Sequence, residues 1–230
     1  MLGALNDDFE SKLMNDAKQE NSKPMQVRHF INAHKIATPF VVMGMMYLFN
    51  FWGATAWIYL ALHSSYCLLW LIKEYTFRDK RFETTIHPVA GSIFVFGMLG
   101  LYWIAPYLII SRHFEAPNWI KACAVVTVVV GIFYHYVSDA HKHTQLANKK
   151  ELIVNGLFSR TRNPNYLGEM LIYAGFAMLA LHPLALVALV YWWSFFIRNM
   201  LQKDKSLSRY EGFEEWKNNS GLCIPKLFKT

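Results

Sequence analysis

Long hydrophobic runs alternate with short polar, basic segments along most of this chain. Each run approaches or reaches the roughly 20 residues with which an α-helix crosses a bilayer core. The runs are 36–50, 54–72, 88–110, 119–137, 166–181 and 183–197. Because backbone groups inside a bilayer find no water partners, spanning segments of this kind are helices. The pattern therefore predicts an all-α integral membrane bundle of about six transmembrane helices.

Composition agrees with this interpretation. Of the 230 residues, 54% are hydrophobic and only 17% are charged, which is too apolar for an ordinary soluble domain. The first 35 residues are polar and lack the basic-then-apolar pattern of a signal peptide. We therefore expect a polar cytoplasmic arm over 1–35 and one transmembrane domain over 36–230.

The basic residues are distributed unevenly. All of the 23 lysines and arginines except Arg112 and Lys121 lie in the arm, in the segments after the second and fourth runs, or in the C-terminal tail. Since basic loops stay on the cytoplasmic side, both termini are predicted to be cytoplasmic. The same rule accounts for the net charge of +7, so no nucleic-acid partner is expected. An endoplasmic reticulum membrane and a bacterial inner membrane fit this pattern equally.

A polar segment, 156–169, leads directly into the fifth run. Pro164 cannot lie in a helix interior and disfavours helical geometry at Asn163, which predicts a helix that begins at this point. The helix N-terminus and the adjacent Arg160 and Arg162 form a positive environment suited to an anionic ligand. The alternative is that the arginines only determine topology and that Glu169 stays in the headgroup layer.

The last two runs are joined only by Leu181-His182-Pro183, which predicts a tight antiparallel hairpin. The segment before the hairpin and the C-terminal tail after it should therefore converge on the cytoplasmic face. On the fifth helix, Glu169 and Tyr173 share a face with Asn165 and Tyr166. The cysteines form no CxxC pair and show no metal-ligand spacing, so neither a disulfide framework nor a metal is expected.

The sequence Arg162-Asn163-Pro164-Asn165-Tyr166-Leu167-Gly168-Glu169 resembles the Arg-(His/Asn)-Pro-x-Tyr-x-Gly signature of a superfamily of membrane enzymes. This superfamily includes steroid 5α-reductases, sterol C14-reductases, isoprenylcysteine carboxyl methyltransferases and phospholipid methyltransferases. The resemblance covers 138–228 and implies a cytoplasm-facing cofactor pocket there. The cofactor is NADPH in the reductase branch and S-adenosylmethionine in the methyltransferase branch.

Two further segments are similar to the reductases. Ser138-Asp139 resembles a pair with which those enzymes contact their nicotinamide cofactor, and the tail from Lys203 closes with a similar Ile-Pro-x-x-Phe sequence. The basic side chains are suited to phosphate groups. The candidate cofactor-binding residues are Asp139, Arg160, Arg162, Asn163, Asn165, Tyr166, Glu169, Arg198, Ser206, Arg209 and Tyr210. At Ser206 the reductases tend to have Tyr.

A reductase also needs a positioned acid, because hydride delivery to a conjugated alkene leaves an enolate to be protonated. Tyr66 and Glu74 are the candidates, although a packed aromatic ring is the commoner role for a residue such as Tyr66. The Gln-Glu-Leu-Pro element of steroid reductases has no counterpart between Ile36 and Phe77. A methyltransferase needs mainly alignment of its nucleophile with the donor, so this absence favours that branch.

Three functions follow from the sequence. The preferred one is NADPH-dependent reduction of a carbon–carbon double bond in a lipid or steroid-like substrate. The alternative is S-adenosylmethionine-dependent methylation of a lipid or prenylated substrate. A non-enzymatic membrane scaffold is the third. For either enzyme we expect a hydrophobic substrate that enters from the membrane, and no obligate protein partner.

Overall fold

The computed structural model describes residues 23–149 and 151–227 of the chain. Within these residues the protein is mostly helical. The α-helices are α1 (Val27–Leu48), α2 (Ala54–Thr76), α3 (Pro88–Leu99), α4 (Ile104–Ser111), α5 (Asn118–Asn148), α6 (Pro164–Ala180), α7 (Pro183–Leu207) and α8 (Phe213–Asn219). Short 3-10 turns cover Lys80–Glu83, Gly100–Trp103 and Gly156–Ser159. The two-residue strands β1 (Met25–Gln26) and β2 (Thr85–Ile86) pair antiparallel.

Four helical segments of the described chain are long and apolar enough to cross a membrane. They are α2, the α3–α4 segment Pro88–Ser111, α5 and α7. The helix α6 has only 17 residues, and α1 carries Arg28 and Lys35. The predicted class, a helical membrane protein, is thus confirmed, whereas length and apolarity support four of the six predicted spans.

The helix α6 lies at the centre of the bundle, which explains how so short a helix is accommodated. It contacts α2, α4, α5 and α7. Most of its side chains are buried against these neighbours, including Ile172, Phe176 and Leu179. Because other helices surround α6, its ends need not reach both bilayer surfaces on their own.

Several helix boundaries differ from the predicted runs. The helix α1 begins at Val27, so the last nine residues of the predicted polar arm are helical, while residues 1–22 lie outside the described part of the chain. The helix α5 continues to Asn148, well past the predicted end at 137. Its extension is polar and lies beyond the apolar stretch, so hydropathy alone gave no reason to include it.

The third predicted run is interrupted by the 3-10 turn Gly100–Trp103. Glycine is a poor helix former, and Pro106 has no N–H with which to bond the carbonyl of Tyr102 in a continuous helix. That carbonyl instead accepts a hydrogen bond from the Tyr59 hydroxyl at 3.1 Å. The break is therefore stabilised by a contact from α2.

One end of the helix bundle is rich in basic residues, and we call it the basic end. It contains the start of α1 and of α6 and the C-terminal ends of α2, α5 and α7. Here β1 pairs with β2, and Thr161 forms a bridge with Gly221. At the opposite end, His113 Nε2 donates to the Phe49 carbonyl at 2.8 Å. The amide of Thr55 likewise donates to Glu115 at this opposite end.

Glycines allow α5 and α6 to pack very closely. A Cβ atom added at Gly168 would lie 2.4 Å from the backbone nitrogen of His135 and 2.5 Å from the carbonyl oxygen of Gly131. A Cβ atom at Gly175 would lie 2.5 Å from Val128. Small residues at helix interfaces have this role in membrane bundles. The close approach brings the start of α6, with its polar residues, next to α5.

Candidate functional site

A cavity of about 250 Å³ opens among α1, α2, α5, α6 and α7 near the basic end. Its polar lining residues are Lys35, Lys73, Asp79, Arg81, His135, Asp139, Asn165, Tyr166, Glu169 and Asn199. Its aromatic lining residues are Tyr66, Trp70, Phe82, Tyr102, Tyr173, Trp192, Phe195 and Phe196. Polar groups and aromatic faces therefore surround one space inside a membrane bundle.

The start of α6 presents its polar face to this cavity. The helix begins at Pro164, as the Asn-Pro sequence predicts, and Asn163 precedes it without a side-chain capping bond. Asn165, Tyr166, Glu169 and Tyr173 all line the cavity. The Tyr173 hydroxyl donates to Glu169 Oε1 at 3.4 Å and lies 3.0 Å from the Tyr66 hydroxyl.

Three buried polar atoms on cavity-lining residues have no hydrogen-bond partner among the described residues: His135 Nε2, Asn165 Oδ1 and Trp192 Nε1. His135 Nδ1 lies 3.3 Å from the carbonyl oxygen of Asn165. Because a carbonyl can only accept, Nδ1 carries the proton in this bond, and Nε2 is an acceptor whenever the ring holds that one proton. Buried polar atoms are normally paired with protein groups or water, so these three atoms are available to whatever occupies the cavity.

Charged pairs lie between the cavity and the basic end. Lys73 forms an ion pair with Asp139, and both side chains are largely buried. Asp79 accepts hydrogen bonds from the backbone and side chain of Arg81. Burial would raise the pKa of Asp79, but these bonds and the Arg81 charge outweigh it and lower the pKa to about 2. Asp139 and Asp79 therefore face the cavity with their charges already paired.

The arginines of the motif contact the C-terminal tail, not the cavity. Arg162 is buried; its Nε donates to Asp204 at 2.8 Å and its Nη1 donates to the Ser220 carbonyl at 2.6 Å. The backbone carbonyl of Arg160 accepts from the amides of Gly221 and Lys226. The Asn163 side chain donates to the Leu222 carbonyl and accepts from Lys203. The motif and the tail therefore converge as predicted. The Arg160 carbonyl and the side chains of Arg162 and Asn163 form the bonds between them.

The remaining predicted site residues also lie away from the cavity lining. Arg198, Ser206 and Arg209 are exposed, and Arg209 lies over the Tyr210 ring. Glu74 is buried and pairs with Arg28 at 3.5 Å. Phe228, at the end of the predicted cofactor region, lies outside the described residues. Of the predicted residues, the cavity thus brings together Tyr66, Asp139, Asn165, Tyr166 and Glu169.

Sequence reasoning did not identify Lys35 or His135 as site residues. His135 carried a signal, because it lies within the fourth hydrophobic run and ionisable residues there are commonly functional. Lys35 was assigned to the basic arm, and His135 lies near the end of the fourth run. Tyr102 and Trp192 gave no such signal, because aromatic residues are frequent throughout the chain.

The fold and the cavity define a polytopic helical membrane protein with a polar, aromatic-lined pocket near one end of its bundle. The chain belongs to the DUF1295 family, described as a protein of unknown function, whose model matches residues 24–209.

The chain is also 31% identical over 119 residues to the protein-S-isoprenylcysteine O-methyltransferase of Saccharomyces cerevisiae. The match covers 46% of this chain and 50% of the yeast protein, so the chain spans about half the length of that relative. These similarities confirm the superfamily that the Arg162–Glu169 motif indicated.

Proposed function

We propose that this protein is a membrane enzyme that transfers a methyl group from S-adenosylmethionine to a lipid-like acceptor. The observation that carries the proposal is the cavity, which combines the Glu169 carboxylate with several aromatic faces and three unpaired polar atoms. The partial identity to a yeast methyltransferase supports this branch of the superfamily.

The cavity residues fit the chemical groups of this cofactor. Aromatic faces and a carboxylate both attract a cation such as a sulfonium, and Tyr173, Phe196 and Glu169 supply them on the α6 and α7 side of the cavity. Asn165 Oδ1 and His135 Nε2 are acceptors for N–H groups of a ligand. When bound, the cofactor supplies a methyl group whose bond to sulfur breaks, with its electron pair left on sulfur, as the acceptor's nucleophile bonds to the carbon.

The protein's own contribution is alignment and exclusion of water. Methyl transfer gains most from holding donor and acceptor at reacting distance. The bundle buries the inner wall of the cavity, where Tyr102 stacks on Trp192 with ring centroids 4.7 Å apart. No acid is required for methylation, which agrees with the missing Gln-Glu-Leu-Pro element.

A small apolar pocket of about 30 Å³ adjoins the cavity and supports a hydrophobic acceptor. It shares Tyr102, Tyr173 and Trp192 with the cavity. Its other lining residues are Phe176, two leucines, and alanines from α4, α6 and α7. A small apolar group of an acceptor could therefore lie here while its polar end reaches the cavity.

The positions of the arginines weaken the argument for NADPH. The basic residues that the sequence offered as phosphate ligands, which mildly favoured that cofactor, include Arg160, Arg162 and Arg209, and none of these three lines the cavity. Arg162 already has partners in Asp204 and in the carbonyls of the tail. At the cavity, Lys73 is paired with Asp139 and Arg81 with Asp79, which leaves Lys35 as the lining lysine without an ion pair among the described residues.

Reduction with NADPH remains the second candidate because of one specific contact. The hydroxyls of Tyr66 and Tyr173 lie 3.0 Å apart on the cavity wall. Such a pair could deliver the proton that a reductase needs, since one hydroxyl can donate while the other replaces its proton. This proposal keeps the catalytic role that the sequence analysis gave to Tyr66.

Equilibrium binding of labelled S-adenosylmethionine and labelled NADPH to the purified protein in lipid nanodiscs tests the proposal. We expect S-adenosylmethionine to bind and Glu169→Gln to weaken binding on the order of tenfold, because a lost charge contact costs about 1.5 kcal/mol. The control is Glu215→Gln, which changes an exposed glutamate of α8 and should leave binding unchanged. Binding of NADPH alone would favour the reductase, and binding of neither would favour the scaffold.

A further inference from the structure

Lys35 is a buried cation on the cavity wall. It lies in the third turn of α1, is 3% exposed, and lines the cavity. Its Nζ atom is 4.1 Å from the ring centroid of Tyr66, 5.5 Å from that of Trp70 and 5.6 Å from that of Tyr102. Three aromatic rings therefore hold the ammonium group in position.

The ammonium of Lys35 has no hydrogen bond and no ion pair within the described part of the chain, whereas the other cationic side chains of the cavity are paired. Lys73 is paired with Asp139, and Arg81 with Asp79. Glu169 lines the same cavity and its negative charge acts on Lys35, but no ion pair joins the two among the described residues, and the Glu169 carboxylate accepts a hydrogen bond from Tyr173. Aromatic faces recover only part of the free energy lost when an ammonium leaves water.

We propose that Lys35 binds a carboxylate of the ligand in this cavity. An anion is the chemical group that an unpaired buried ammonium lacks, and the aromatic cage fixes the point at which the anion would bind. The inference rests on the proposed function, which offers two sources of a carboxylate. One is the amino-acid part of S-adenosylmethionine, and the other is a carboxylate on a prenylated acceptor.

Two pairs of compounds distinguish these sources by binding alone. The donor pair is S-adenosylmethionine and its decarboxylated analogue. The acceptor pair is a prenylated cysteine with a free carboxylate and the corresponding amide. We expect the wild-type protein to prefer the carboxylate member of one pair by about tenfold or more, as a charge-assisted bond predicts.

Lys35→Met should abolish that preference, and Lys35→Arg should retain part of it. Methionine has a similar length and packs well against aromatic rings, so the cage can stay intact. The matched control is Lys121→Met, a lysine at the opposite end that pairs with Glu115. The Lys121→Met variant should prefer the carboxylate compound over its analogue as strongly as the wild-type protein does.

Thermal unfolding of the ligand-free proteins separates a binding role from a structural one. Removal of an unpaired buried charge should leave the unfolding temperature of Lys35→Met unchanged or higher. A lower unfolding temperature with an unchanged ligand preference would overturn the inference. The inference would also be overturned if the wild-type protein bound both members of each pair with equal affinity.

The binding results distinguish failure of the proposed function from failure of the inference about Lys35. If the wild-type protein binds no S-adenosylmethionine, methyl transfer from that donor is excluded, and the acceptor pair alone then decides the role of Lys35. If the wild-type protein binds S-adenosylmethionine but Lys35→Met keeps every carboxylate preference, only the inference about Lys35 fails.

Discussion

At the residue scale, the segment around the Arg162–Glu169 motif has two roles: it attaches the C-terminal tail to the bundle, and it contributes residues to the cavity. Thr161, Arg162 and Asn163 donate from their side chains to carbonyls of the tail, at Cys223, Ser220 and Leu222. Two residues further on, Asn165 faces the cavity. Buried carbonyls need such donors, so this segment attaches the tail next to the site.

Replacing Arg162 with Ala should release the tail, because it removes the bonds to Ser220 and Lys217 and leaves Asp204 without its partner. Cys223 reports the change, since burial raises the pKa of its thiol to about 11. At pH 8 that pKa makes the reactive thiolate roughly a hundredfold scarcer than in an ordinary cysteine. We expect alkylation of Cys223 to accelerate at least tenfold in Arg162→Ala.

The rate is measured with iodoacetamide at pH 8 in a Cys123→Ala background, because Cys123 is exposed and Cys67 is buried. Arg209→Ala is the control, since Arg209 is exposed and contacts only the adjacent Tyr210 ring among the described residues. Equal alkylation rates in Arg162→Ala and in the background protein would show that Arg162 does not hold the tail.

At the element scale, the close packing of α5 and α6 positions the site. Gly131 and Gly168 let the two backbones approach, and this approach brings His135 Nδ1 to the carbonyl of Asn165. The same contact orients His135 so that Nε2 is the acceptor. A wider interface would separate His135 and Asn165, whose Nε2 and Oδ1 atoms have no partner among the described residues.

Gly168→Ala should destabilise the protein by several kcal/mol, because the new methyl group would meet the backbone of His135 and Gly131 and not a side chain that can move. Gly97→Ala in α3 is the matched control, since no atom lies within 4 Å of its added Cβ. That change should be neutral or stabilising by up to about 1 kcal/mol. Thermal unfolding in detergent compares them, and similar unfolding temperatures for the two variants would contradict the packing argument.

At the scale of the whole molecule, the contacts between loops divide the bundle into two ends that match the charge distribution. The strand pair β1–β2 and the Thr161–Gly221 bridge lie at the basic end. The Phe49–His113 and Thr55–Glu115 bonds lie at the other end, where Arg112 and Lys121 are found. The distribution supports the proposal that the basic end, and with it the mouth of the cavity, faces the cytoplasm.

Single cysteines introduced in a cysteine-free background test this orientation. Arg112 and Arg209 are both exposed and lie at opposite ends of the bundle. In sealed vesicles with the cytoplasmic side inside, a membrane-impermeant maleimide should label Arg112→Cys and label Arg209→Cys only after detergent is added. Immediate labelling of both, or the reverse pattern, would refute the proposed topology.

Local sequence was sufficient for features that depend on neighbouring residues. The helical class, the start of α6 at Pro164 and the hairpin between Ala180 and Pro183 follow from hydropathy and from the backbone of proline. Helical periodicity also placed Asn165, Tyr166, Glu169 and Tyr173 on one face, and the structure shows that face on the cavity.

The tertiary structure decided which partner each of those groups has. Nothing in the local sequence distinguishes Arg162, which is bonded to Asp204 and the tail, from an arginine that contacts a ligand. Likewise, Lys35 resembles the other basic residues of the N-terminal region until α2 and the segment before α4 place three aromatic rings around it. Periodicity determines the direction of a side chain on its own helix, whereas the group it meets depends on packing between helices distant in sequence.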